Sequence, residues 1–108
     1  MDSKDILETE IPKLLKEKPE LAKDLNAIVH FVVSGDGGGT WTLDCTKAEG
    51  WVSAGASGEP KMVLTCAAPD FEKIVTKQMN AQMAAMSGKL KFKPMDMGLA
   101  MKLAKLMG

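Results

Sequence analysis

At Ile28 the apolar period of the chain changes, and that change limits the folds open to it. Before it, Ile6, Leu7, Ile11, Leu14, Leu15, Leu21, Ala22 and Leu25 recur near helical spacing with charges between them. From Ile28 the chain reads Ile28-Val29-His30-Phe31-Val32-Val33, a β-branched run. A glycine-rich break, Gly35 to Gly39, leads into Thr40-Trp41-Thr42-Leu43-Asp44-Cys45. Strand, glycine turn, strand is a hairpin.

The remaining punctuation extends this pattern. Ser3 is expected to cap the first helix, Pro12 to kink or restart it, and Pro19 to open a second short helix. Gly50 and Gly55 bracket a short third strand around Trp51-Val52, and a fourth strand runs Lys61 to Cys66. Pro69 and Asp70 then open a helix carrying Phe71, Ile74 and Val75. Met79, Met83 and Met86, at i, i+4 and i+7, are expected on one helical face that ends at Gly88. Lys89-Leu90-Lys91-Phe92-Lys93 alternates as a last strand, and Asp96 can cap a final helix from Met97 to Met107. The order predicts an α+β fold with one sheet and helices over one face. At 108 residues the chain is long enough for one domain with its own core, spanning 1–108.

Charge removes several function classes. Fourteen basic residues balance fourteen acidic ones, and every basic residue is lysine. With no arginine and no basic excess, nucleic acid is not an expected partner. The charge is nonetheless uneven. The first 25 residues carry five lysines and seven acids, a net of −2, while Gly88 onward carries five lysines and one acid, a net of +4. The polar N-terminus has no signal-peptide pattern, and no run reaches the ~18 apolar residues of a spanning helix. Cys45 and Cys66 lie within apolar-alternating segments and are expected to be buried free thiols. These features predict a soluble, cytoplasmic domain.

No catalytic machinery is evident. Gly35 to Gly39 leads into a strand, Thr40 stands where the third glycine of GxGxxG belongs, and no Gly-Lys-Ser/Thr follows. Ser53 and Gly55 fail as a nucleophile elbow because Trp51 occupies the first glycine position. His30 has no recognisable nucleophile partner, and no spacing of histidines, cysteines and carboxylates suggests a metal. No catalytic residue, metal or cofactor is therefore expected.

The methionines carry more information. Eight of the nine lie at or beyond Met62. On periodicity alone they read as a core stripe. The final helix, however, is apolar nearly all round, broken by Lys102 and Lys105, and has more apolar surface than one contact buries. Methionine also re-packs around varied apolar partners. A lipid pocket or an apolar partner groove is the second reading. A buried sixteen-carbon chain would supply on the order of 12 kcal/mol gross. An empty closed void of about 400 Å³ would cost on the order of 10 kcal/mol.

Gly88-Lys89-Leu90-Lys91 followed by Met97-Gly98-Leu99-Ala100-Met101-Lys102-Leu103 resembles the C-terminal signature of the sterol carrier protein 2 family. Phe31 and Val33, Gly39-Thr40-Trp41-Thr42-Leu43-Asp44, Asp70-Phe71 and Pro19-Glu20-Leu21 match in order along nearly the whole chain. The resemblance implies a five-stranded, mixed, mostly antiparallel sheet with helices over one face and a hydrophobic tunnel between them. It implies a non-enzymatic intracellular carrier of fatty acids, fatty acyl-CoA, sterols or phospholipids, with transient membrane contact and transfer between membranes. Carried over by position, the lipid-binding residues are Met97, Leu99, Ala100, Met101 and Leu103 of the final helix, and Met79, Met83 and Met86 of the helix facing it. Phe71 and Ile74, and Val33 and Trp41 on the sheet, complete the set, the face of the last two being open.

The chain departs from the family pattern at Phe92-Lys93-Pro94-Met95-Asp96, one residue longer than usual, with Pro94 ahead of the last helix. Relatives include peroxisomal proteins, but Lys105-Leu106-Met107-Gly108 carries no peroxisomal tripeptide. Two other functions remain open: a membrane- or partner-docking module acting through the basic, apolar C-terminal helix, and an accessory domain to a lipid-metabolising enzyme.

Overall fold

The computed structural model describes residues 2–47, 50–93 and 96–107. The expected effect of Pro94 on the approach to the last helix therefore falls outside the described residues.

The chain opens with α1 (Ser3–Asp5), a π-helical turn (Ile6–Glu10), α2 (Ile11–Glu17) and α3 (Pro19–Leu25). Asp2, and not Ser3, is the first cap: the Asp5 amide donates to Asp2 Oδ1 at 2.8 Å. Ser3 instead turns inward, fully buried, with no hydrogen-bond partner for its Oγ. Pro12 restarts the helix as expected. It has no amide to donate to the carbonyl four residues back, so the ladder widens before it, and the Ile11 amide bonds to Ile6 five residues back. Pro19 sits in the first turn of α3, and Asn26 ends that helix in the left-handed region at φ 40°.

Five strands follow the order β3-β2-β1-β4-β5. They are β1 (Ile28–Ser34), β2 (Gly39–Asp44), β3 (Val52–Ala54), β4 (Met62–Ala67) and β5 (Leu90–Lys93). β1 and β4 are parallel and the other three pairs antiparallel, so the sheet is mixed. The β1–β2 turn requires glycine, because a Cβ on Gly38 would stand 2.2 Å from the Val33 carbonyl oxygen.

Register decides which face each side chain takes. Trp41, Phe31, Leu64 and Phe92 lie opposite one another across four strands and share a face. Val29, Leu43 and Met62 form a second row on that face, and Val33, Cys66 and Leu90 a third. Apart from the partly buried Phe92, all are buried. This is the helix-covered face. α4 (Ala68–Val75) packs on it through Phe71, whose ring centre lies 6.0 Å from that of Phe31 in a tilted arrangement.

His30 and Thr42 occupy the opposite face under the segment after β3. Thr42 Oγ1 donates to the Gly55 carbonyl at 2.7 Å and accepts the Ser57 amide at 2.9 Å. His30 Nε2 lies 2.9 Å from the Ser57 carbonyl, so Nε2 carries the proton. The lone histidine is thus a loop fastener. Two helices complete the chain, α5 (Ala81–Met86) and α6 (Met97–Met107). The architecture is the expected α+β fold, with a five-stranded mixed sheet and helices over one face.

Candidate functional site: an apolar cleft between two helices

α6 is held firmly on its inner side. Asp96 caps it, its Oδ1 accepting the Leu99 amide at 3.1 Å. Leu99, Leu103 and Leu106 are buried against the N-terminal helices. Lys102 Nζ reaches the Asp24 carbonyl at 3.3 Å and the Asp24 carboxylate at 3.6 Å, tying α6 to the C-terminal end of α3. The outer side differs. Met97 and Met101, four residues apart on one face, are 61% and 65% exposed. The surplus apolar surface predicted for this helix is present.

α5 is short because both its ends are set locally. Asn80 Oδ1 accepts the Gln82 and Met83 amides at 2.8 and 3.2 Å, and Gly88, at φ 81°, ends the turn that follows. Ala84 points inward and is buried. Ala81 and Ala85, four apart on α5, face a cleft shared with Ala100 and Ala104, four apart on α6. Four methyl groups in place of larger side chains leave this space open. The cleft has a volume of about 300 Å³, with Phe92, Met97, Met101 and Gln82 completing its walls. Ala81, Gln82 and Ala104 also border a second cleft of about 410 Å³, bounded further by Ile74, Lys77, Met79 and Asn80. The two form a trough, apolar at the Phe92–Met97–Met101 end and polar, with one cationic group, at the Lys77 end.

A third cleft of about 760 Å³ lies beside β3, between Trp51 and Val52 and the N-terminal Glu8, Lys13 and Lys16. It stands at the opposite sheet edge, four strand spacings or roughly 19 Å from β5. Its walls are mixed in polarity, whereas the α5–α6 cleft is almost wholly apolar.

The structure brings together part of the set carried over from the family. Met97, Ala100 and Met101 line the apolar cleft, and Ile74 and Met79 line its neighbour. Val33, Phe71, Leu99 and Leu103 are core residues that line none of these clefts. Trp41 is buried on the helix-covered face, where its Nε1 donates to Glu8 Oε2 at 2.8 Å and fastens the π-helical turn to the sheet. The placing of Met79, Met83 and Met86 on one helical face is corrected. Met79 precedes α5, while Met83 and Met86 are 69% and 82% exposed and line none of the clefts. The positive φ of Lys77 and the cap at Asn80 interrupt the helix, so i, i+4, i+7 spacing no longer marks one face. Sequence reasoning missed Phe92, Gln82, Lys77, Ala81, Ala85 and Ala104 as walls, naming Ala100 alone of the two alanine pairs. The paired i, i+4 alanines were the signal available. The expected tunnel is also revised: beside α5 and α6 the structure holds open clefts.

Neither cysteine is set up as a nucleophile. Burial pushes the Cys45 thiol up to about 12, with Asp44 adding to the effect, and pushes Cys66 up to about 11, helped by Asp70. Among the described residues no three of His, Cys, Asp and Glu gather as metal ligands.

Comparison with known proteins agrees with this architecture. The model of the SCP-2 sterol transfer family matches residues 9–108. Hydroxysteroid dehydrogenase-like protein 2 of Xenopus tropicalis is 42% identical over 110 residues, covering 99% of this chain and 26% of that protein. The chain thus spans about a quarter of the length of that relative. Among solved structures, sterol carrier protein domain 2 of Helicoverpa armigera aligns with a TM-score of 0.77 at 25% identity, over 94% of this chain and 81% of that one. Sterol carrier protein 2 from Yarrowia lipolytica, in its apo form, aligns with a TM-score of 0.69 at 32% identity, over 96% and 82%.

Proposed function

The chain belongs to the SCP-2 sterol transfer family, a lipid-binding fold, and from that premise we propose that it is a non-enzymatic carrier holding its ligand in the α5–α6 trough. The ligand class is the family's: a fatty acid, fatty acyl-CoA, sterol or phospholipid, moved between membranes. One observation carries the assignment to this trough. Met97 and Met101 are exposed on a helix whose inner face is fully engaged, and they front a cleft walled by alanines and Phe92. Unbranched, polarizable methionines adapt to apolar chains of varied shape.

The trough favours a single-chain amphiphile. An acyl chain lies along Phe92, Met97 and Met101, and an anionic head group meets Lys77 at the polar end. With no arginine in the chain, a bidentate carboxylate clamp is unavailable, so chain burial dominates the affinity. Two free, buried cysteines fit a reducing compartment and support the cytoplasmic reading. The test is direct. Delipidated, folded protein is titrated with a fluorescent fatty acid, and oleate is then added as competitor. Saturable binding displaced by oleate is expected; folded protein that leaves the probe free overturns the proposal.

The length of the relative favours a second role on the same chemistry. A domain matching a quarter of a dehydrogenase-like protein can serve as an accessory domain that hands lipid to an attached or associated enzyme. Co-purification of a lipid-metabolising enzyme with the chain supports this role.

A further inference from the structure

Met83 and Met86 are left unexplained by the trough, which they do not line. With Met97 and Met101 they are the exposed large hydrophobics among the described residues, and all four lie on α5 and α6. Charge divides along the same line. Residues 73–108 hold seven lysines and one acid, Asp96, a net of +6; residues 1–72 hold seven lysines and thirteen acids, a net of −6. The charge of a chain with zero net charge is therefore unevenly divided along the sequence, and the methionine-bearing helices belong to the basic segment.

We propose that the α5–α6 face docks on an anionic lipid bilayer. The proposal rests on the carrier reading for its purpose, since the trough opens between the same two helices. A chain leaving the bilayer there reaches the cleft without crossing water. Lys77 borders the trough, Lys89 follows α5, and Lys105 stands one helical turn beyond Met101. Asp96, the single acid of this segment, is engaged in capping α6. Lys102 is held at Asp24 and is not counted among the docking groups. Four methionines supply apolar contact with the acyl boundary while lysines meet lipid phosphates, and such paired signals together give stable membrane contact.

The experiment is flotation of the full chain with vesicles of phosphatidylcholine containing 30% phosphatidylserine, and with vesicles of phosphatidylcholine alone. Binding to the anionic vesicles that falls as salt rises is expected. Lys89→Gln with Lys105→Gln should weaken it roughly 25-fold, at about fivefold per lysine. Lys13→Gln with Lys16→Gln, at the opposite sheet edge, should change it far less. Met83→Ser with Met86→Ser should also reduce vesicle binding, yet leave affinity for the fluorescent fatty acid unchanged. Equal binding to both vesicle types, no binding to either, or equal loss from the two lysine pairs overturns the docking face. Docking that behaves as expected in a protein that binds no fatty-acid probe would sink the carrier reading instead and leave the docking face standing.

Discussion

Ala104→Phe tests whether the α5–α6 trough holds the ligand. Ala104 borders both clefts of the trough and is only half-buried, so a larger side chain projects into the space without entering the core. At roughly 30 Å³ for each methylene-sized unit, the 300 Å³ cleft accepts about ten. Six added ring carbons occupy roughly 100 Å³ at interior packing density and remove about three of these. At about 0.8 kcal/mol each the loss is about 2.4 kcal/mol, or a Kd raised roughly 60-fold. The helix itself loses only about 0.5 kcal/mol of propensity, so the fold survives. Fluorescence titration of delipidated protein with a fatty-acid probe reads the effect. Thr9→Phe, in the 760 Å³ cleft beside β3, is the matched control and should bind like the parent. If Ala104→Phe binds normally while Thr9→Phe loses the probe, the ligand sits at the other edge of the sheet and the assignment fails.

Three further outcomes follow from the same geometry. Glu8→Ala leaves the buried Trp41 indole N–H without its acceptor and should cost about 1–3 kcal/mol in urea unfolding, with Glu8→Gln costing less because an amide oxygen can still accept. Ser3→Ala removes a buried hydroxyl that has no partner and should leave stability unchanged or raise it by up to about 1 kcal/mol; a clear loss would show that Ser3 Oγ is satisfied in solution. The thiols give a pH dependence. Their folded values, raised from 9.0 to about 12 and about 11, keep protons on the native state that the unfolded chain releases. Stability should therefore be full below pH 9 and decline as pH rises through the folded values, an effect that Cys45→Ala with Cys66→Ala removes from the chemical-denaturation profile.

What the sequence shows well is what local chemistry determines. Alternation around Phe31, Trp41, Leu64 and Phe92 placed the strands, and the breaks at Pro12, Pro19, Gly35–Gly39 and Asp96 fell where the structure has them. Strand order does not follow from periodicity; the family resemblance supplied the mixed five-stranded sheet. The errors share a cause. Periodicity records which residues are apolar, but not where a helix begins, and the extended backbone at the Asn80 cap resets the phase between Met79 and Met83. The cap shifted from Ser3 to Asp2 for a similar reason, since both side chains can accept an amide and the tertiary fold selects the one outside the core. The cleft was harder to see because small side chains make it. An alanine pair reads as weak core in a hydrophobic pattern, yet Ala81, Ala85, Ala100 and Ala104 together leave the space.

The openness of that space follows from energetics. A closed, empty cavity of 300 Å³ would cost about 7 kcal/mol at about 24 cal/mol per Å³. That is as much as a small domain's whole stability, about 5–15 kcal/mol. A cleft open to solvent avoids the cost by leaving its apolar walls in water, where exposed methionines lose far less than an unfilled void would. The two walls are not equally fixed. α6 is anchored by three buried leucines, each contributing about 1.5–3 kcal/mol, together with the Lys102–Asp24 link. α5 buries a single alanine and spans six residues between a capping asparagine and a glycine turn. Any closure over a ligand therefore moves the weakly held wall. In the proposed carrier α5 yields while α6 keeps its place on the core, and Met97 and Met101, exposed in the empty state, become the apolar contacts of the filled one.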